Sequence, residues 1–147
     1  MRQILSIAAL LAVVAFVGQT IAADGEAKAV CPVAGKPANP AQTVEYKGAT
    51  ISLCCGNCKA AFTKNPAKFA AKANLQLVAT GQAKQVSCPF AGKPVNPDQS
   101  VTVAGTEVQF CCGNCKAKAA KAEGDDQIKL IFDDKAFDKG FKVTEKK

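Results

Sequence analysis

A small α+β protein built from two copies of one unit is the architecture this sequence predicts. Three observations point to it. Residues 31–60 and 88–117 agree at 18 of 30 positions without a gap, at a constant shift of 57 residues. A fixed internal period marks a duplicated structural unit. Within each copy, apolar and polar residues alternate on both sides of a glycine, as in a β-hairpin. Each hairpin then runs into a stretch of strong helix formers.

The elements follow in order. Residues 1–23, MRQILSIAALLAVVAFVGQTIAA, carry one positive residue, an uncharged apolar stretch from Ile4 to Val17, and small residues at the end. That is the pattern of a secretory signal peptide. The stretch is shorter than the ~20 residues a membrane span needs. Removing it leaves 147 − 23 = 124 residues, with 24–30 as a short leader. The first repeat (31–80) opens on CPVAGKPANP, whose three prolines and one glycine predict a rigid loop, neither helix nor strand. Val44 and Tyr46, a Lys47-Gly48 break, then Ile51 and Leu53 predict the hairpin. Asn57 is expected to cap the helix that follows. Asn65-Pro66 restarts a second short helix over PAKFAAKA. NLQLVATGQAKQVS is expected to be extended and linking.

The second repeat (81–143) copies the loop and the hairpin, with Ala104-Gly105 at its turn. Asn114 is the expected cap, and Gly124 is expected to end the helix. Ile128, Leu130 and Phe132 alternate, which predicts a strand pairing near Leu75 and Leu77. Residues 144–147 are expected to form a disordered tail.

Composition narrows the function. The net charge of +7 comes from lysines scattered singly, with arginine nearly absent. Nucleic-acid binding calls for a basic stripe with stacking or groove-reading residues, so none is expected. After cleavage no membrane contact is expected either. Histidine is absent and the single methionine is the initiator. A Cys–His nucleophile is therefore impossible, and no phosphate loop exists, so no enzyme is expected. The carboxylates gather in the tail and read as solvated.

The eight cysteines carry the chemistry. Each repeat holds Cys-x22-Cys-Cys-x2-Cys: Cys31, Cys54, Cys55 and Cys58, then Cys88, Cys111, Cys112 and Cys115. Period two places Cys55 on the apolar face of Ile51 and Leu53, and Cys54 beside Ser52. Cys58 falls in the first helical turn, where the dipole favours a thiolate. Cys31 sits in a loop whose N–H groups can bond a metal-bound sulfur. A loop, a strand end and a helix start thus converge, which resembles a treble-clef-like zinc finger. Without histidine, a soft-metal site here is all thiolate. Four thiolates suit Zn2+, and two or three also suit Cu+.

The spacing Cys-x22-Cys-x3-Cys, with CPVAGKPANP, VEYKGATISLCCGNC and FTKNPAKF around it, resembles the YHS/TRASH group of metal-binding domains. The resemblance covers residues 31–69 and 88–117. It implies two tandem treble-clef-like modules that bind heavy-metal ions, one per repeat, in sensing, trafficking or resistance. It implies Cys31, Cys54 and Cys58 as ligands in repeat one, and Cys88, Cys111 and Cys115 in repeat two. Cys55 and Cys112 stand as possible fourth ligands. A metal transporter or chaperone would be the partner. With the signal peptide, the expected location is the periplasm or the extracellular space. The chain departs from many members of the group in having Cys31 where they have Asp, and Ala34 where they have Cys. Repeat two also lacks the Phe–Asn-Pro closure. Phe132, Phe137 and Phe141 are candidates for the missing apolar lid.

Two other readings use the same cysteines. An exported chain with an even cysteine count can be a disulfide-stapled, or zinc-stapled, structural or interaction module. Cys55-Gly-Asn-Cys58 between a strand and a helix is also a thiol–disulfide motif, although the unit is short for a thioredoxin fold.

Overall fold

The structure, a computed structural model, describes residues 29–144. The expected signal peptide, residues 24–28 of the leader and residues 145–147 lie outside the described residues. Among the described residues no helix is long and apolar enough to cross a membrane.

The architecture is α+β, with three two-stranded antiparallel sheets and helices between them. In repeat one, β1 (Asn39–Tyr46) pairs with β2 (Ala49–Leu53). The helix α1 (Gly56–Lys64), a 3-10 turn (Pro66–Phe69) and α2 (Ala70–Ala79) follow. A short strand β3 (Ala83–Gln85) leads into repeat two. There β4 (Asn96–Val103) pairs with β5 (Thr106–Phe110), and α3 (Gly113–Ala120) follows. The chain closes with α4 (Gly124–Phe132), α5 (Asp134–Gly140) and β6 (Phe141–Val143), which pairs with β3.

Both hairpins form where alternation predicts them. Their two-residue turns need left-handed backbone at both central positions. Lys47 (φ 51°) and Gly48 (φ 78°) supply it in one, and Ala104 (φ 47°) and Gly105 (φ 81°) in the other. Each first strand begins earlier than expected, inside the proline-rich loop. Asn39 pairs with Leu53, and a bulge separates it from the regular pairing that resumes at Thr43. Asn39 Oδ1 accepts the Ala41 N–H at 2.9 Å, and Asn96 does the same for Asp98 at 3.0 Å. The Asn-Pro pair thus turns the chain within the strand instead of delaying it.

Three helix expectations need correction. The caps are Cys55 and Cys112 in extended backbone, not Asn57 and Asn114, so each helix starts two residues sooner. Residues 74–79 are helical, not extended. Ala70, Ala73, Asn74 and Leu77 recur at helical spacing and are all buried, so packing extends α2 through them. Ile128, Leu130 and Phe132 lie in α4, not in a strand. Gly124, at φ 55°, opens that helix, with Asp125 and Asp126 in its first turn where the dipole favours them. The expected partner segment was right in place but wrong in kind, since α4 packs against α2 as helix on helix.

The core is one cluster drawn from both repeats. It contains Ile51, Leu53, Phe62 and Leu77 from the first, and Val103, Val108 and Phe110 from the second. Phe132, Phe137 and Phe141 are buried in it and stack in a row, each pair 5.4 Å apart between centroids. Repeat one is closed by Phe62, packed edge-on to Tyr46 at 5.5 Å and stacked on Phe69. In repeat two Ala119 replaces Phe62, and Phe90 against Phe110 at 5.4 Å brings aromatic bulk from the loop side. The first hairpin's turn is clasped to α5: Lys47 Nζ lies 3.0 Å from Asp134, 2.9 Å from Asp138 and 4.9 Å from the Phe137 ring centroid.

The free edges of β2 and β5 are covered by side-chain amides. Gln76 accepts from Ser52 N–H and donates to Ser52 C=O, both at 2.8 Å, and also donates to Val30 C=O at 2.7 Å. Gln82 pairs with Thr50 in the same two-bond manner. Gln85 does so with Gln109 in repeat two. Each amide mimics a neighbouring strand and removes an unpaired edge.

Candidate metal centres

In each repeat the fold brings three sulfurs together from three elements. The Sγ atoms of Cys31, Cys54 and Cys58 lie within 4.8 Å of one another, as do those of Cys88, Cys111 and Cys115. Cys31 comes from the Pro/Gly loop. Its N–H donates to Lys36 C=O at 2.8 Å and its C=O accepts from Gly35 at 2.9 Å, closing a tight knuckle. Cys88 makes the equivalent bonds to Lys93 and Gly92 at 2.9 and 2.7 Å. Gly35 and Gly92 sit at φ 66° and 65°, the left-handed backbone the knuckle needs. Cys54 and Cys111 follow the last strand residue. Cys58 and Cys115 occupy the third position of α1 and α3.

Cys31 and Cys88 are fully buried, and the other two thiols of each trio are half-buried. The fourth cysteine of each repeat, Cys55 or Cys112, is exposed. This corrects the expectation that Cys55 shares the apolar face of Ile51 and Leu53. The strand ends at Leu53, so period two no longer applies. Cys55 remains beside the trio, 3.8 Å from Cys54 Sγ, and Cys112 is 3.7 Å from Cys111 Sγ.

The hydrogen bonding separates the four sulfurs into two kinds. Burial pushes the Cys31 thiol up, but the N–H groups of Ala34, Cys54 and Val33 outweigh it and hold the group below its ordinary value. Cys88 behaves alike, with N–H groups from Cys111, Ala91 and Phe90. Cys55 is also lowered, first by the Cys58 N–H and then by the Cys58 and Cys54 thiols. Cys58 is instead pushed up to about 12, first by the Cys54 thiol and then by burial. Cys115 reaches about 12 chiefly through burial. The thiol at the capping position of the helix is thus lowered, while the one inside its first turn is raised by the neighbouring Cys54 thiol. Cys55 occupies the capping position in extended backbone, next to the first-turn N–H groups of Asn57 and Cys58. Sequence reasoning missed this cap because cysteine is not a usual capping residue.

The donor set fits a soft cation. Thiolates at about 2.3 Å from a tetrahedral Zn2+ stand about 3.8 Å apart. Cys54 and Cys58 are 3.5 Å apart, and Cys111 and Cys115 are 3.8 Å apart. A disulfide bond would need about 2.05 Å, and all eight cysteines are free thiols. The knuckle N–H groups of Val33 and Ala34 beside Cys31, and of Phe90 and Ala91 beside Cys88, are of the outer-layer kind that stabilises a metal-bound thiolate. Each trio can therefore hold one metal ion. Comparison with known proteins finds no matching family model, curated protein or solved structure.

Proposed function

We propose that this protein is an exported, non-enzymatic binder of a soft heavy-metal ion, Zn2+ or Cu+, with one all-thiolate site in each repeat. The observation that carries the reading is the convergence of three Sγ atoms within 4.8 Å, twice, from loop, strand end and helix start. Cys31, Cys54 and Cys58 are the ligands of one site, and Cys88, Cys111 and Cys115 those of the other. Each trio leaves a fourth position for which Cys55 or Cys112, exposed beside it, is a possible donor. The knuckle, hairpin and helix start support a treble-clef-like module, and with the cysteine spacing they support kinship with the YHS/TRASH domains. An exposed fourth thiol suits exchange with a transporter or chaperone in metal trafficking, sensing or resistance. The signal-like residues 1–23 support a periplasmic or extracellular location.

The experiment is anaerobic purification of residues 24–147, followed by thiol titration and metal analysis by mass spectrometry. Two equivalents of metal are expected, with one lost in Cys54→Ser and the other in Cys111→Ser. Eight cysteines inert to alkylation with no metal bound would sink the proposal. The second reading, a metal that only staples the fold, is favoured by the complete burial of Cys31 and Cys88 within the core. Chelation separates the two: an exchangeable site leaves the fold intact, whereas a structural one takes the fold with it.

A further inference from the structure

The two sites share their donors but not their surroundings. In repeat two the knuckle is pinned by the end of α5. The N–H groups of Val86 and Ser87 both donate to Gly140 C=O, at 2.8 and 3.1 Å. Ser87 Oγ donates to Lys139 C=O at 2.6 Å. Gly140 lies so close to Pro89, the residue after Cys88, that a Cβ there would meet the proline backbone at 2.8 Å. Gly92 faces the Lys139 side chain, where a Cβ would come within 3.3 Å.

Among the described residues, repeat one lacks this clamp. The residue before Cys31, Val30, is half exposed, and its carbonyl is held by the Gln76 amide. A Cβ on Gly35 would meet nothing within 4 Å. A cavity of about 370 Å³ lies against this knuckle, lined by Val30, Cys31, Pro32 and Gly35 on one side and by Leu75 and Ile128 on the other. Its origin is the asymmetry of the chain. Only repeat two is followed by α5, which returns over its own knuckle.

We infer that the two metal centres are kinetically unequal, repeat one being the exchangeable site and repeat two the holding site. This rests on the metal-binding reading above. Releasing a metal requires its thiolates to part while an acceptor's donors replace them one by one. Each freed thiolate takes a proton from water, and the metal keeps its charge. The knuckle cysteine is the buried ligand, so its loop must move. Among the described residues the cavity leaves room for that movement in repeat one, whereas in repeat two the loop must first break its bonds to α5. Groups bonded directly to metal ligands change metal affinity about 10- to 100-fold, and a clamp on the ligand-bearing loop is expected to act on release at the low end of that scale.

The test loads residues 24–147 with two equivalents of Zn2+ and adds excess chromophoric chelator. Pulsed alkylation with peptide mass mapping follows which cysteines are freed. Two release phases are expected, separated by about tenfold or more. The fast one should expose Cys31, Cys54 and Cys58, and the slow one Cys88, Cys111 and Cys115. Gly140→Ala should accelerate only the slow phase by pushing on Pro89. One common rate, or earlier labelling of repeat two, overturns the inference while leaving metal binding intact. Failure to bind two equivalents at the outset overturns both readings. The alkylation pattern of the unaltered chain decides the matter even if Gly140→Ala does not fold.

Discussion

At the scale of single residues, Asp134 shows how one side chain can join the repeats. Burial pushes its carboxyl up, but bonds from Lys47 and Asn74, the Lys47 charge and the Tyr46 hydroxyl outweigh this and hold it below the ordinary carboxylate range. Asn74 Nδ2 reaches both Asp134, at 3.2 Å, and Phe132 C=O, at 2.9 Å. A carboxyl lowered in the folded state contributes stability above its unfolded value of about 3.9. That contribution disappears as pH falls through the lower folded value. Lys47 is affected oppositely. Burial lowers it, but bonds to Asp138 and Asp134 raise it overall, so its contribution holds through neutral pH and fades only as pH rises past its raised value. Asp134→Asn should therefore remove up to about 1 kcal/mol at neutral pH. It should flatten the acid limb of stability measured by urea unfolding between pH 3 and 7. An unchanged acid limb would show that the clasp contributes nothing. None of this was visible beforehand, because Lys47 and Asp134 are 87 residues apart and both read as solvated charges.

At the scale of elements, local chemistry was legible wherever the chain decides its own backbone. The glycine turns, the alternation of Val44, Tyr46, Ile51 and Leu53, and the Asn65-Pro66 restart all lie where residue types predicted them. Errors fell where burial overrides local pattern. Residues 74–79 mix polar and apolar types in a way that suits either state, and their helix is selected by the buried face of Leu77 and Asn74. Alternation in Ile128-Lys-Leu-Ile-Phe132 suggested a strand, but Asp125 and Asp126 at the start and the packing on α2 favour a helix. The amides of Gln76, Gln82 and Gln85 show the same limit, since a glutamine that completes a strand edge looks like any polar residue. Gln76→Ala should leave the Ser52 N–H and two carbonyls without partners in a half-buried site. The expected loss is about 2–3 kcal/mol, read as a lower urea midpoint with an unchanged slope. A loss under about 0.5 kcal/mol would mean that water replaces the amide freely.

At the scale of the whole molecule, the repeats share one interior. β3, between the repeats, pairs with β6 at the end of the chain, and Thr144 donates to Gln82 C=O through its N–H at 2.8 Å and its hydroxyl at 3.0 Å. Phe132 stands at the centre, fully buried, stacked on Phe141 and bonded through its carbonyl to Asn74 of repeat one. Phe132→Ala should cost about 3–5 kcal/mol. Small domains have about 5–15 kcal/mol in total, so this is a large share. Because the interior is common, thermal unfolding should remain a single transition, with the near-ultraviolet signal of Tyr46 and the far-ultraviolet helix signal lost together. Two separated transitions would show that the repeats are independent.

The amino-acid sequence by itself determined the duplication, the two hairpins, the starts of α1 and α3 to within two residues and the three-element origin of each cysteine trio. These depend on neighbours within about 30 residues, where turn geometry and spacing act directly. Tertiary structure decided that Cys55, which alternation placed on the face of Ile51 and Leu53, lies exposed outside the trio of Cys31, Cys54 and Cys58, because the strand ends at Leu53. It also decided that two nearly identical cysteine frames sit in different surroundings. One knuckle faces a cavity and the other is held by α5, and that difference arises from a helix lying some 50 residues beyond the loop it secures.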